Sequence, residues 1–346
     1  MNIKIGDNIL GLLNSYLKEK KINNLYIITD KNVNKFYFDY LYNNINECSF
    51  NSYILPPGEK SKSIDTVLSI YDDLIEKNID RNTLIISLGG GVVGDIAGFV
   101  ASSFKRGIDY IQIPTTLLAQ VDSSVGGKVG IDYGGFKNII GSFYFPNMVI
   151  IDITFLETLS NRDITCGIGE ILKYGLISDY KLFEFVSSNI SNIFEKDKGI
   201  LLNIINKSIA IKRDIVNKDK YDKGIRKILN FGHTVGHSIE AYYKFSKYNH
   251  GEAVILGMIY ESYIAKELGL IDDEYFNKIF KVLKKLVSPI KFKVEEINIL
   301  LNIMKNDKKN MENDIVFVLP IYKGRVDIYS NIEKKIIINS LKGEWF

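Results

Sequence analysis

Residues 83–88, Thr-Leu-Ile-Ile-Ser-Leu, form a mostly aliphatic run that passes straight into Gly89-Gly90-Gly91-Val-Val-Gly94-Asp95. A short run with no polar alternation suits a strand covered on both faces, as in a parallel sheet flanked by helices. The glycines permit a tight turn, and the helix that follows begins at Asp95 and continues Ile-Ala-Gly-Phe-Val-Ala-Ser. Strand, glycines and helix in that order commit this part of the chain to an α/β layout. The same order builds a turn that cradles phosphate at a helix N-terminus. The spacing is neither G-x-G-x-x-G nor a Walker loop, so a tight turn with no ligand stays open as the other reading.

The neighbouring segments extend this pattern. Residues 24–29 read as a second buried strand, with Asp30 at its carboxyl end, where α/β sheets place ligands. Ile64, Val67, Leu68, Tyr71, Leu74 and Ile75 give residues 61–77 a helical period. Tyr110 to Pro114 reads as a third strand, and a polar, glycine-rich stretch runs from Thr115 to Gly141. From about Arg162 to Leu301 the pattern is one of amphipathic helices, over 166–177, 180–194, 201–217, 234–245, 252–268 and 272–286. A hairpin-like pair, 315–320 and 324–329, precedes a last helix. The expected organisation is an α/β nucleotide-binding domain on a Rossmann-like parallel sheet over residues 1–160. A mainly α-helical, metal-binding domain would fill residues 161–346.

The reason to expect a metal lies in the histidines. All three, His233, His237 and His250, fall within eighteen positions. His233 and His237 are four apart and share a helix face, and His250 returns at the start of the next helix. Glycine stands before two of them and after the third, which lets backbone or ligand come close. Glu170 lies among apolar residues on an early turn of its own helix, where an acid is costly unless it is paired or bound to a metal. Glu170 and two of the three histidines would make an oxygen-and-two-nitrogen set with one position left open.

The remaining composition sets limits. The 44 basic and 41 acidic residues leave a net charge of +3, too balanced to argue for nucleic acid. Cys48 and Cys166 fit no metal or redox spacing and suit a reducing cytosol. The first residues lack the apolar run of a signal peptide, and no stretch reaches the roughly 18 apolar residues of a membrane span. Scattered basic groups, Arg106, Lys128, Lys137, Arg226 and the pair Lys308-Lys309, would suit an anionic, phosphate-bearing substrate if the fold gathers them.

Over nearly its whole length the chain resembles the 3-dehydroquinate synthase family. The resemblance rests on Pro57-Gly-Glu-Lys-Ser-Lys62, the glycine run 89–95, Arg106-Gly107 and Pro114-Thr-Thr-Leu-Leu-Ala-Gln-Val-Asp-Ser-Ser-Val-Gly-Gly-Lys128. It continues through Lys137-Asn138, Gly169-Glu170-Ile-Leu-Lys-Tyr-Gly, Asn230-Phe-Gly-His-Thr-Val-Gly-His237 and His250-Gly-Glu252. The resemblance implies NAD and a divalent metal, zinc first and cobalt as the alternative, with Glu170, His233 and His250 as ligands. Asp30, Glu59, Lys62, Gly90, Gly91, Asp95, Thr115, Thr116 and Thr158 match its nucleotide positions, with Lys128 and Lys137 nearby. Asp122, Lys128, Lys137, Asn138, Lys173, Lys212, Arg226, Asn230 and His237 match the positions around its substrate, joined by Lys308 or Lys309. Arg106 matches an arginine that reaches the site of a partner subunit, which implies a homodimer. In two places the chain departs from the family pattern: Phe136 replaces a glycine, and Lys220 interrupts an acidic pair before Gly224.

What the resemblance implies chemically is the conversion of 3-deoxy-D-arabino-heptulosonate 7-phosphate to 3-dehydroquinate and phosphate, in the cytoplasm. The steps would be transient oxidation by NAD, phosphate elimination, reduction and an internal aldol closure. Two rival readings share the fold. One is a sugar-phosphate cyclase of the 2-deoxy-scyllo-inosose or valiolone type; the other is a metal-dependent polyol dehydrogenase.

Overall fold

Every strand of the main sheet is parallel to its neighbours, and the four inner strands are short and apolar enough to be covered on both faces. The computed structural model describes residues 2–45, 48–306 and 314–346. In chain order the first unit contains β1 (Ile3–Gly6), α1 (Leu12–Lys20), β2 (Asn24–Asp30), α2 (Lys31–Asn44), β3 (Ser49–Leu55) and α3 (Ile64–Glu76). It continues with β4 (Leu84–Gly89), α4 (Gly91–Ser103), β5 (Tyr110–Pro114), β6 (Lys128–Tyr133), β7 (Phe136–Phe143) and β8 (Met148–Asp152). The sheet order is β1-β8-β5-β4-β2-β3, the expected Rossmann-like arrangement. Leu25 and Ile27 pack into one core and Tyr26 and Ile28 into the other; Leu84 and Ile86 oppose Ile85 in the same way. Burial on both faces is therefore why these strands read as unbroken apolar runs.

The chain leaves β2 toward β3 on one side and leaves β4 toward β5 on the other. The carboxyl ends of β2 and β4 thus flank a topological switch point, the usual binding crevice of an open α/β sheet. Asp30 and Gly89 end those two strands.

The rest of the chain is mainly helical: α5 (Asn161–Ile177), α6 (Tyr180–Ser188), α7 (Ile190–Phe194), α8 (Lys198–Lys218), α9 (His233–Tyr242) and α10 (His250–Glu267). After α11 (Asp273–Leu283) and α12 (Val294–Lys305) comes the antiparallel pair β9 (Phe317–Tyr322) and β10 (Arg325–Tyr329), then α13 (Lys334–Lys342). The units comprise Met1–Asp163 with Glu195–Ile209, and Ile164–Phe194 with Ala210–Phe346. The first half of α8 therefore groups with the N-terminal unit, whereas the sequence reading drew a single cut after residue 160.

Two local expectations are corrected, and a stretch left without an element gains its structure. The helix after the glycine run starts at Gly91, not Asp95, because Gly90 takes the capping position and Gly91 and Gly94 lie inside the first turns. The segment 180–194 is two helices that break at Asn189. The glycine-rich stretch 115–141 holds a π-helical turn, Ala119–Ser123, and the hairpin β6–β7. Gly134 and Gly135 both have positive φ and form the two-residue turn, a conformation that favours glycine. Gly130 faces Gly141 across the ladder, where an added Cβ on either would meet carbonyl oxygen within 2.6 Å.

Candidate metal centre and nucleotide site

Three helices of the second unit, α5, α9 and α10, carry the candidate metal ligands, and glycine lets their backbones come together. A Cβ on Gly251 would lie 2.1 Å from the Cys166 carbonyl oxygen, and one on Gly257 would lie 1.8 Å from that of Gly232. Gly169 and Gly236 also approach the α10 backbone, where an added Cβ would lie 2.9 Å from the carbonyl oxygens of Gly251 and Ala253. The glycines beside the histidines thus serve helix-to-helix approach. The Cys166 thiol accepts the Gly251 amide at 3.2 Å and fixes the start of α10 against α5.

His250 is the first residue of α10, held by a capping box. The Asn249 side chain accepts the Glu252 amide, and the Glu252 carboxylate accepts that of Asn249. Glu252, conspicuous in the His-Gly-Glu motif, is therefore a cap. His233 begins α9 after Gly232, which has a φ of +79° and no capping side chain. Glu261 of α10, completely buried, replaces it: Oε2 accepts the Gly232 amide at 2.6 Å and Oε1 that of Val235 at 3.0 Å. A carboxylate at a helix N-terminus also meets the positive end of the helix dipole.

Glu170 Oε1 lies 3.5 Å from His233 Nε2 and 3.5 Å from His250 Nε2. These three donor atoms fall within 4.8 Å of one another. Lys173, 2% exposed, ion-pairs with Glu170 Oε2 and leaves Oε1 as the oxygen presented to the imidazoles. One buried carboxylate oxygen and two nitrogens, one buried and one half-buried, converge in a set that fits a divalent cation. Glu170 sits in the middle of α5 rather than on its early turns, because that helix starts five residues before the expected Cys166. The His237 ring centroid is 5.2 Å from that of His233 and 5.9 Å from that of His250. His237, Glu240 and His250 form a second convergent group, and Glu240 is a residue the sequence reading did not single out. Its signal was available: it lies seven positions after His233 on one helix face. Burial pulls the His250 imidazole toward neutrality, but Glu240 and Glu170 outweigh it and raise its pKa to about 10.

Lys212 and Arg226 are buried in this unit, at 5% and 4% exposure. Arg226 and Asn230 lie on a 3-10 turn, Ile225–Asn230. The loop before it is organised by Asp219, whose carboxylate accepts the amides of Lys223, Gly224 and Arg226. Arg226 Nη1 donates to the Lys220 carbonyl at 2.8 Å, so the backbone rather than the side chain of that unusual residue holds the guanidinium.

In the first unit, Asp30 accepts the amides of Asn32 and Val33 and so caps α2 at the switch point. Gly90 and Gly91 stand opposite it, at an N-terminus of α4 that no side chain caps. Lys62 ion-pairs with Asp95; burial opposes its charge, but Asp95 and Glu59 hold its pKa above the usual lysine value. Lys137 lies 3.6 Å from Glu59. Thr115 follows β5, with its amide on the Gly89 carbonyl, and Thr116 packs against Gly90. Thr158 contacts the Tyr37 hydroxyl at 3.0 Å. Asp122 is on the π-helical turn, Lys128 opens β6, and Asn138 has a left-handed φ of 51° on β7. Phe136 is exposed at the hairpin turn. Arg106 is exposed, with a φ of 65°. Lys308 and Lys309 lie outside the described residues. Among the described residues no helix is long and apolar enough to cross a membrane.

Comparison with known proteins matches residues 52–166 to the family described as 3-dehydroquinate synthase N-terminal, and residues 167–310 to 3-dehydroquinate synthase C-terminal. A 3-dehydroquinate synthase from Alkaliphilus metalliredigens is 45% identical over 94% of this chain and 90% of its own length. Among solved structures, a 2-epi-5-epi-valiolone synthase from Streptomyces hygroscopicus subsp. jinggangensis, with NAD+ and Zn2+ bound, superposes with a TM-score of 0.90. It is 24% identical over 98% of this chain and 95% of that one. A 2-deoxy-scyllo-inosose synthase in complex with carbaglucose-6-phosphate, NAD+ and Co2+ gives 0.89 at 25% identity, over 98% and 96%.

Proposed function

We infer that this chain, which belongs to the 3-dehydroquinate synthase family, converts 3-deoxy-D-arabino-heptulosonate 7-phosphate to 3-dehydroquinate and phosphate. It is an NAD- and metal-dependent carbon–oxygen lyase. The observation that carries the reading is the convergence of Glu170 Oε1 with the Nε2 atoms of His233 and His250, in a chain matched to one family across residues 52–310.

Each unit has a separate task. In the first, the switch point between Asp30 and the Gly90-Gly91 turn would hold the dinucleotide, and the N-terminus of α4, which no side chain caps, would suit its pyrophosphate. Lys62, Asp95, Glu59, Thr115, Thr116 and Thr158 complete that site, and Lys128, Lys137, Asn138 and Asp122 meet substrate. In the second, Glu170, His233 and His250 hold the cation. Zinc is the best choice for a carboxylate-and-imidazole set, and cobalt suits the same donors.

When bound, NAD takes up and returns a hydride, and the divalent ion polarises the reacting hydroxyl and the carbonyl made from it. Oxidation of a ring hydroxyl to a ketone acidifies the neighbouring C–H, so phosphate can leave by elimination. Reduction, ring opening and an internal aldol closure follow, with no net redox change. Arg226 offers a planar fork of N–H donors, pre-set by the Lys220 carbonyl and the Asp219 loop, to a phosphate. His237, one turn beyond His233, carries a proton between substrate atoms. Lys173, Lys212 and Asn230 orient the substrate in the same unit.

We further propose a homodimer in which Arg106 serves the partner's site. The deciding experiment follows phosphate release from the heptulosonate phosphate with catalytic amounts of NAD. Stoichiometric phosphate without accumulating NADH supports a cyclase, and 3-dehydroquinate as the product supports this one. Accumulating NADH would place the chain with the dehydrogenases.

A further inference from the structure

The two convergent groups, Glu170-His233-His250 and His237-Glu240-His250, share His250. A cation displaces a proton and binds the neutral imidazole, which has one lone pair and one N–H, so His250 cannot give a nitrogen to a cation in each group at once. The neighbours of its two nitrogens decide which is which. For His233, Nδ1 lies 3.0 Å from the Phe231 carbonyl, which can only accept. The proton is therefore on Nδ1, and the Nε2 lone pair faces Glu170 Oε1. His250 repeats this with a different acceptor. Its Nδ1 lies 3.4 Å from Glu240 Oε2, and its Nε2 lies 3.5 Å from Glu170 Oε1. An ionised carboxylate also only accepts.

We propose that Glu240 is a positioning residue for the metal centre, accepting the Nδ1–H of His250 and so turning the Nε2 lone pair of that ligand toward the cation. This rests on the metal reading above. Glu240 is 3% exposed and lies on α9, seven positions after His233 and three after His237. It thus joins α9 to the first residue of α10, and one helix fixes the ring on the other. The group His237-Glu240-His250 is accordingly not a second cation site, because the nitrogen it would need from His250 carries the proton. An acceptor behind a ligating imidazole fixes its tautomer and raises its basicity, and losing such a partner typically costs 10- to 100-fold in metal affinity.

The test is a zinc titration of the metal-free full chain against a chromogenic chelator, with unfolding by urea as the check on folding. Wild type should take up one equivalent. Glu240→Ala should bind zinc about 10- to 100-fold more weakly. Glu240→Gln, whose amide oxygen still accepts Nδ1–H, should regain most of that loss. Unchanged affinity in Glu240→Ala would overturn the inference, as would equal weakening in both variants, which would mean the carboxylate acts through charge alone. A second equivalent bound by wild type and lost in Glu240→Ala would make Glu240 a ligand instead. If His250→Ala binds zinc as tightly as wild type, the ligand set itself falls and this inference with it; a fault in Glu240 alone leaves that set standing.

Discussion

At the scale of single residues, the centre depends on side chains that are missing as much as on those present. Gly257 lets α10 touch the carbonyl of Gly232, next to His233, with no room for a methyl group. Gly257→Ala must push α9 and α10 apart, and overpacking of this kind costs about 1–3 kcal/mol, here at the upper end because the obstacle is backbone. Urea unfolding should report that loss, and the displaced His233 should weaken zinc uptake. Gly11 is the control: it has φ of −57° and only the Asn44 side chain, at 3.9 Å, near a new Cβ. Gly11→Ala should be neutral or slightly stabilising, by about 0.4–1 kcal/mol. Equal losses in the two variants would show that the Gly257 contact has no special weight.

At the scale of elements, two carboxylates that ligate nothing set the geometry of the second unit. Glu261 of α10 caps α9, whose own capping position is a glycine. Glu261→Ala leaves buried backbone amides unsatisfied and should cost about 2–3 kcal/mol. Hydrogen exchange should quicken at the amides of Gly232 and Val235 before it does elsewhere in α9; unchanged protection there would remove Glu261 from this role. Asp219 does similar work in the loop before Arg226. Its three backbone hydrogen bonds, led by the Lys223 amide, lower its pKa below the ordinary 3.8. A depressed folded pKa means that the carboxylate's contribution is complete above that ordinary value and is lost as pH falls through the folded one. Asp219→Ala should therefore loosen the Arg226 loop at neutral pH and raise the substrate KM more than it lowers stability. A KM equal to wild type would detach Asp219 from Arg226.

At the scale of the whole molecule, the proposed homodimer has a direct test. Arg106→Ala and His237→Ala chains, each inactive alone, are mixed and allowed to form heterodimers. If Arg106 acts on the partner's site, one site of each heterodimer loses both groups and the other keeps both, so a fraction of wild-type activity should return. Proven heterodimers without activity would confine Arg106 to its own chain. Metal removal gives a second global readout. A ligand that binds only the folded state stabilises it by about 2.7 kcal/mol at a hundredfold excess over Kd. Chelated protein should therefore unfold at lower urea, and His250→Ala should show no such difference between its treated and untreated forms.

The sequence by itself determined the parts whose signals are local. Apolar runs of five or six residues announced β2, β4 and β5, because strands covered on both faces need no polar alternation. The four-residue spacing of His233 and His237 placed them on one helix face, as α9 bears out. The hairpin β6–β7 lies hidden in a polar, glycine-rich stretch, since Gly130 and Gly141 have no side chains to show a period of two. Tertiary structure alone decided the rest. That Glu170 meets His233 and His250 follows from glycine contacts between helices up to 85 positions apart, and no local pattern records a contact partner. For the same reason no local pattern shows what the carboxylates of Glu240 and Glu261 meet. Only when α9 and α10 pack does one carboxylate face the imidazole of His250 and the other the open amides of Gly232 and Val235.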